Sequence, residues 1–192
     1  MTPTALLRLA LRHIWLWAFL FAAGIGAGAM FYQEISPSLI PMIEDMFSSM
    51  VIDREGQLFS PSTLTMIIFS KNLLVAVICF LSARITRGIL PGLALLYNGV
   101  IVGALAVLMH INGVSYLLFA LCLLPHGIFE LPALFLACAI GMRGVNKAGV
   151  KAFMLPVVML LLAAGVEVFI TPLVSQAVLV VRSVFDCTNR LM

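Results

Sequence analysis

The sequence predicts an all-α fold, a polytopic transmembrane bundle of about five spans. Three observations carry that expectation. Of the 192 residues, 63% are hydrophobic and only 10% are charged, whereas a water-soluble domain carries about a quarter charged residues. Mean hydropathy is +1.17. Five separate stretches are long and apolar enough to cross the hydrocarbon, which takes about 20 residues of helix. The aqueous segments between them are short, so residues 1–192 read as a single integral membrane domain in a lipid bilayer. The net charge of +3 is small and scattered, which argues against a nucleic-acid partner.

The first span covers residues 13–32. Arg8 and Arg12 precede it and Ala27-Gly28-Ala29 imitates a cleavage site. Its apolar run exceeds the core of a secretory signal, so it is expected to remain as a span. Residues 33–62 follow as a loop bearing Glu34, Glu44, Asp45, Asp53 and Glu55. Within it, residues 39–50 are amphipathic enough to form a short helix lying on the membrane. The second span is 63–83, the third 88–111, the fourth 114–142 and the fifth 152–181. Pro125 and Pro132 each lack the N–H a helix needs, so the fourth helix is expected to be kinked or broken around residues 125–132. Pro125 would suit the first position of a new half-helix. Broken helices at mid-membrane surround cavities, and many transport sites are built that way.

Five crossings put the termini on opposite sides. Arg8, Arg12, Arg84, Arg87, Arg143, Lys147 and Lys151 then share one side, against Arg54, Arg182 and Arg190 on the other. The positive-inside rule places the N-terminus in the cytoplasm, and the C-terminus and the 33–62 loop outside the cell membrane. Of the four cysteines, Cys79, Cys122 and Cys138 fall in apolar runs and Cys187 stands alone, so no structural disulfide is expected. Gly24 with Gly28, and Gly99 with Gly103, give small-xxx-small spacings that let helix backbones approach closely. Such faces serve packing within one chain or pairing of two; a homodimer is one expectation they raise.

Ionisable groups inside a membrane are costly and point to function. Lys71 and Asn72, Asn98, the pair His126 and Glu130, and Glu167 fall near the midpoints of spans two to five. Four helices thus bring polar side chains to one depth. His126 and Glu130 are four apart, hence on one helical face, and Gly127 between them would admit a neighbouring backbone. An imidazole with two carboxylates suits a divalent metal, zinc before others. His126, Glu130 and Glu167 would be its ligands, with Lys71, Asn72 and Asn98 in support. Two other readings stay open: a hydrogen-bonded knot in which Lys71 neutralises a glutamate, and a proton or solute relay. The second histidine of His-Glu-x-x-His is missing, so the metalloprotease signature is absent.

The remaining candidates read as structure. Cys122 precedes His126 by one turn with Pro125 between them, and a packing thiol is the simpler account. His110 stands beside Asn112-Gly113 as a turn residue, and His13 beside Arg12 at the inner headgroup boundary. The eleven methionines are spread through the chain as apolar filler. No phosphate loop, serine elbow or haem-ligand pattern occurs.

The block Pro125-His126-Gly127-Ile128-Phe129-Glu130-Leu131-Pro132-Ala133 closely resembles the hallmark of the stage II sporulation protein M family. Asn72, Asn98-Gly99 with Gly103, and Glu167 followed by Ile170-Thr171-Pro172 resemble its neighbouring elements. The resemblance covers about residues 60–175. It implies a component of the engulfment machinery of endospore-forming bacteria, working beside a bitopic peptidoglycan hydrolase and an amidase. The family also has members in organisms that do not sporulate. One departure is Lys71, where a second asparagine or another neutral residue is expected. Two classes of function follow. The preferred one is a non-enzymatic scaffold with a mid-membrane site. The alternative is an intramembrane metal-dependent hydrolase, or a small-solute or ion transporter, using the same cluster. A water-accessible crevice at His126 favours the alternative, and a sealed one favours the scaffold.

Overall fold

The computed structural model describes residues 2–51 and 59–173. Among them the chain forms seven helices: α1 (Pro3–Arg12), α2 (Ile14–Met30), α3 (Tyr32–Val51), α4 (Pro61–Ile85), α5 (Ile89–Ile111), α6 (Tyr116–Arg143) and α7 (Lys147–Phe169). Four helices are long and apolar enough to cross a membrane, and α1 with α2, bent by 43°, makes a fifth if counted as one span. The fold is the all-α bundle the composition predicts.

Three of the long helices, α4, α6 and α7, begin where a side chain meets the first unpaired amides. Ser60 accepts from the Thr63 amide ahead of Pro61, Ser115 accepts from Leu118, and Asn146 accepts from Ala148 and Gly149. Such caps matter at a membrane boundary, because an unmet N–H in hydrocarbon costs several kcal/mol. The α4–α5 turn takes left-handed conformations at Arg87 and Gly88, with φ of 51° and 85°. Glycine accepts that region without the Cβ clash that other residues meet.

Two packing units make the bundle. In one, α6 packs on α4 and α7, and α1 lies across α6 and α7. Every residue from Ala133 to Gly141 of α6 is buried, so this half of the helix is a rod enclosed by its neighbours. Phe80 stacks on Phe153 with ring centroids 4.6 Å apart, joining α4 to α7. In the other unit α2 lies on α5 with the backbones almost touching. A Cβ on Gly24 would strike the Leu96 carbonyl, and one on Gly28 the Val100 carbonyl. From the other side, Gly99 faces the Phe21 carbonyl and Gly103 the Ile25 carbonyl. The two small-residue faces that the sequence left open to either use are therefore spent on each other within the chain.

Three elements differ from their expected form. The fourth span is not broken: α6 is one helix of 28 residues through Pro125 and Pro132. Each proline removes only its own bond to the carbonyl four residues back, and the bonds on either side keep the ladder continuous. Helix also starts at Tyr32 rather than within a loop, and α3 is 20 residues long with Pro37 and Pro41 inside it. No glycine separates it from α2, only the single turn residue Phe31, and Glu34 in its first turn suits a helix N-terminus. Finally, α7 begins at Lys147, ahead of the expected 152, because Asn146 caps it. Residues 174–181 of the fifth span, and Asp53, Arg54, Glu55, Arg182, Cys187 and Arg190, lie outside the described residues.

Close approach of α2 and α5 gives a controlled test. Gly28→Ala and Gly103→Ala each press a methyl onto a partner carbonyl and should each cost about 1–3 kcal/mol of stability. Gly26→Ala, with nothing within 4 Å of its new methyl, should cost nothing measurable. Thermal unfolding in detergent reads all three, and equal losses would remove the interface from the account.

Candidate metal centre

His126 and Glu130 stand one turn apart on α6, and α7 returns beside that face carrying Glu167. The imidazole and the two carboxylates each offer a ligand atom, and these atoms all lie within 4.8 Å of one another. All three residues are half-buried. An unbroken α6 is what keeps the first two on one face, since residues four apart align only while the helix is regular. At about 1.5 Å per residue, His126 lies roughly 15 Å along the helix from Tyr116, in the interior of α6 rather than at either end. Glu167 lies in the last turns of α7 before Phe169, and residues 174–181, which the expected fifth span includes, lie outside the described residues.

The chemistry of the three groups is unbalanced as they stand. Two carboxylates this close in a poorly polarisable medium repel each other, and they require a shared proton or a cation. The Nδ1 atom of His126 is buried without a hydrogen-bond partner among the described residues. Leaving such an atom unmet costs about 1–3 kcal/mol. A single divalent ion would set a double positive charge between the carboxylates and take one imidazole nitrogen as a third ligand. The donor set therefore fits a metal.

A cavity of about 200 Å³ adjoins the triad. Its wall includes His126, Gly127 and Glu130 of α6, Asn98 and Ile101 of α5, and Phe21 of α2. Glu167 does not line it, so the cavity meets the triad from the side opposite α7. Asn98 is thus a polar neighbour of the site, as its depth suggests. Lys71 and Asn72 do not line the cavity. Lys71 is exposed, and no ion pair joins it to a glutamate among the described residues. The helix phase explains this. Buried Ile68, Ala76, Cys79, Phe80 and Ala83 mark the inward face of α4, and at 100° per residue Lys71 points about 120° away from it. The knot in which Lys71 neutralises a glutamate is not formed.

Sequence reasoning missed Phe21, an apolar wall residue with no chemical signature of its own. It also missed a contact far from the triad: Arg143 Nη2 lies 3.1 Å from His13 Nδ1. The two residues are 130 positions apart, and no pattern in the chain links them.

Comparison with known proteins agrees with the block around His126. A family model described as Stage II sporulation protein M matches residues 17–172, a range that includes all three triad residues. An uncharacterized protein of Methanocaldococcus jannaschii is 26% identical over 138 residues, covering 62% of this chain and 74% of its own. No solved structure matches the chain.

The geometry separates Lys71 from Asn98. Lys71→Met should leave thermal stability in detergent unchanged. Asn98→Leu replaces a polar wall residue with a branched apolar one and should lower stability by about 1–3 kcal/mol. A Lys71→Met loss as large as that of Asn98→Leu would restore the ion-pair knot.

Proposed function

The chain belongs to the stage II sporulation protein M family, and from that premise we propose that it is a multi-pass membrane scaffold whose His126, Glu130 and Glu167 hold one divalent metal ion, zinc before others. The observation that carries this is the convergence of three donor atoms within 4.8 Å on two different helices. A metal there would cross-link α6 to α7. Below the site the two helices are already held by apolar packing, since Ala133 to Gly141 are buried on every side. Above it α6 has no buried residue, and a metal bridge would supply the tie that packing does not. Three protein ligands leave a fourth position for water or Asn98, on the side where the cavity lies.

The cavity gives the alternative reading a specific basis, because it reaches His126. Its size narrows that reading. Pockets that enclose drug-sized ligands run to about 300–1,000 Å³, and about 200 Å³ holds a few waters or a small ion instead. That size favours a small-ion path within the alternative reading, and the scaffold reading is supported instead by the family. Family membership supports a role in sporulation, with membrane-anchored enzymes that remodel septal peptidoglycan as the partners to be scaffolded. Any pairing of two copies must use a face other than the glycine stripe, which α2 and α5 consume between them.

Orientation follows from charge. Trp17 and Met142 both lie against Gly88, and the Arg84 guanidinium lies over Gly144. The α1–α2 elbow and the α4–α5 and α6–α7 turns therefore gather at one end of the bundle, with which seven of the eleven basic residues, Arg8, Arg12, Arg84, Arg87, Arg143, Lys147 and Lys151, are associated. That end is placed in the cytoplasm by the positive-inside rule.

Metal analysis of purified protein should find one zinc per chain. His126→Ala, Glu130→Gln and Glu167→Gln should each remove it, and chelation of the wild type should lower its thermal stability by about 2–4 kcal/mol at saturating metal. Protein without metal, and as stable as before after chelation, would favour a shared proton instead. In a background free of native cysteines, a cysteine at Asn112 should react with an impermeant thiol reagent applied outside cells. One at Thr86 should react only after permeabilisation, and the reverse pattern would invert the topology.

A further inference from the structure

Among the described residues, the end of the bundle opposite the α5–α6 turn carries cations without anions. The eight acidic residues are Glu34, Glu44, Asp45, Asp53, Glu55, Glu130, Glu167 and Asp186. None belongs to the α1–α2 elbow, the α4–α5 turn or the α6–α7 turn. Arg12, Arg84, Arg87, Arg143 and Lys147 do. Among the described residues, no carboxylate offsets their charge at that end.

Arg143 is the most exactingly placed of them. Its Nη2 lies 3.1 Å from His13 Nδ1 and 3.5 Å from Nε2. But His13 Nδ1 also lies 3.0 Å from the Leu9 carbonyl oxygen. A carbonyl can only accept, so Nδ1 must carry the proton and cannot also accept from a guanidinium. Among the described residues, Arg143 is left with the longer contact to Nε2 and most of its five donors unspent. Beside it is a cavity of about 250 Å³ lined by His13, Leu16, Trp17, Ala139, Met142 and Arg143. The lining is divided: a cation and an imidazole on one part, and Trp17, Leu16, Ala139 and Met142 on the rest. Trp17 is itself buried and packs against Gly88, so the apolar wall is fixed to the bundle. Guanidinium favours phosphate oxygens through two parallel hydrogen bonds. Basic pockets between helices at the cytoplasmic side suit anionic lipid headgroups.

We propose that this pocket binds one anionic phospholipid of the adjoining leaflet, its phosphate on Arg143 and His13 and the top of its acyl chains along Trp17, Leu16 and Met142. A free phosphate shares the headgroup chemistry but leaves the apolar wall uncovered, and the divided lining selects the lipid. The bound lipid clamps the α1–α2 elbow to the end of α6, because His13 and Arg143 approach it from the two elements. The site stands apart from the metal centre and does not depend on it.

The full-length protein in nanodiscs tests this. Lipid retention is read by native mass spectrometry in phosphatidylcholine with a minor share of phosphatidylglycerol. Wild type should keep one phosphatidylglycerol per chain, and Arg143→Gln should weaken that retention about fivefold, the effect of one basic contact. Lys151→Gln, the same charge change elsewhere at that end, should retain it, and equal losses in the two variants would reduce the site to a diffuse basic surface. Glycerol 3-phosphate added to phosphatidylcholine nanodiscs should not raise the thermal midpoint. A rise matching that from phosphatidylglycerol would make it a small-anion site and overturn the lipid assignment. A second readout does not depend on how Arg143→Gln folds. In Trp15→Phe protein, where Trp17 is the sole tryptophan, phosphatidylglycerol brominated near the glycerol should quench Trp17 more than equally brominated phosphatidylcholine. Equal quenching by the two lipids would refute the pocket.

Discussion

Two carboxylates and an imidazole held together in the hydrocarbon are the constraint around which the rest of this bundle is arranged. Apolar surroundings do not screen charge, and a membrane supplies no water to hydrate a lone carboxylate. The groups must therefore satisfy one another or share an ion. Placing two of them on α6 and the third on α7 turns that requirement into a link between helices. The same requirement demands that α6 remain regular where it passes Pro125 and Pro132, because a true break would rotate Glu130 away from His126. Proline in this helix marks a site that tolerates lost backbone bonds without losing its register.

The two halves of α6 meet different neighbours, and this sets how the bundle holds together. From Ala133 to Gly141 the helix is enclosed on all sides, and small side chains there let α4 and α7 come close; Gly141 lies against the Phe80 carbonyl. Towards Tyr116 the packing thins, with Leu117 70% exposed and Ile128 55% exposed. Dispersion and close approach hold the end with the basic turns, and the proposed metal would be the tie at the middle. The α2–α5 pair uses the first principle alone, glycine against carbonyl, and stands beside the triad as the far wall of its cavity.

Depth along the helices was legible in the sequence, and angle around them was not. Hydropathy located the apolar stretches, and the four-residue spacing of His126 and Glu130 placed them on one face. Asn98 was also found by depth. Lys71 was not excluded by the same logic, because its depth is right and only its phase on α4 is wrong. Phase could have been read from the buried positions Ile68, Ala76 and Cys79, but these differ little in type from the lipid-facing residues around them. In water, polar residues mark the outer face of a helix; in a membrane both faces are apolar and the signal disappears. The proline pair misled for a related reason. Its effect on a helix depends on what surrounds it, and the sequence does not state its surroundings. The glycine stripes showed that backbones would meet, without saying whose.

X-ray absorption at the zinc edge on purified wild-type protein tests the central claim most directly, because it reports the atoms around the ion. The triad predicts a first shell of nitrogen and oxygen only, with imidazole scattering from one histidine and distances of about 2.0–2.2 Å. A shell containing sulfur at about 2.3 Å would move the ion towards Cys122 and away from Glu167. No bound zinc at all would leave the two carboxylates to share a proton, and the metal bridge between α6 and α7 would be wrong.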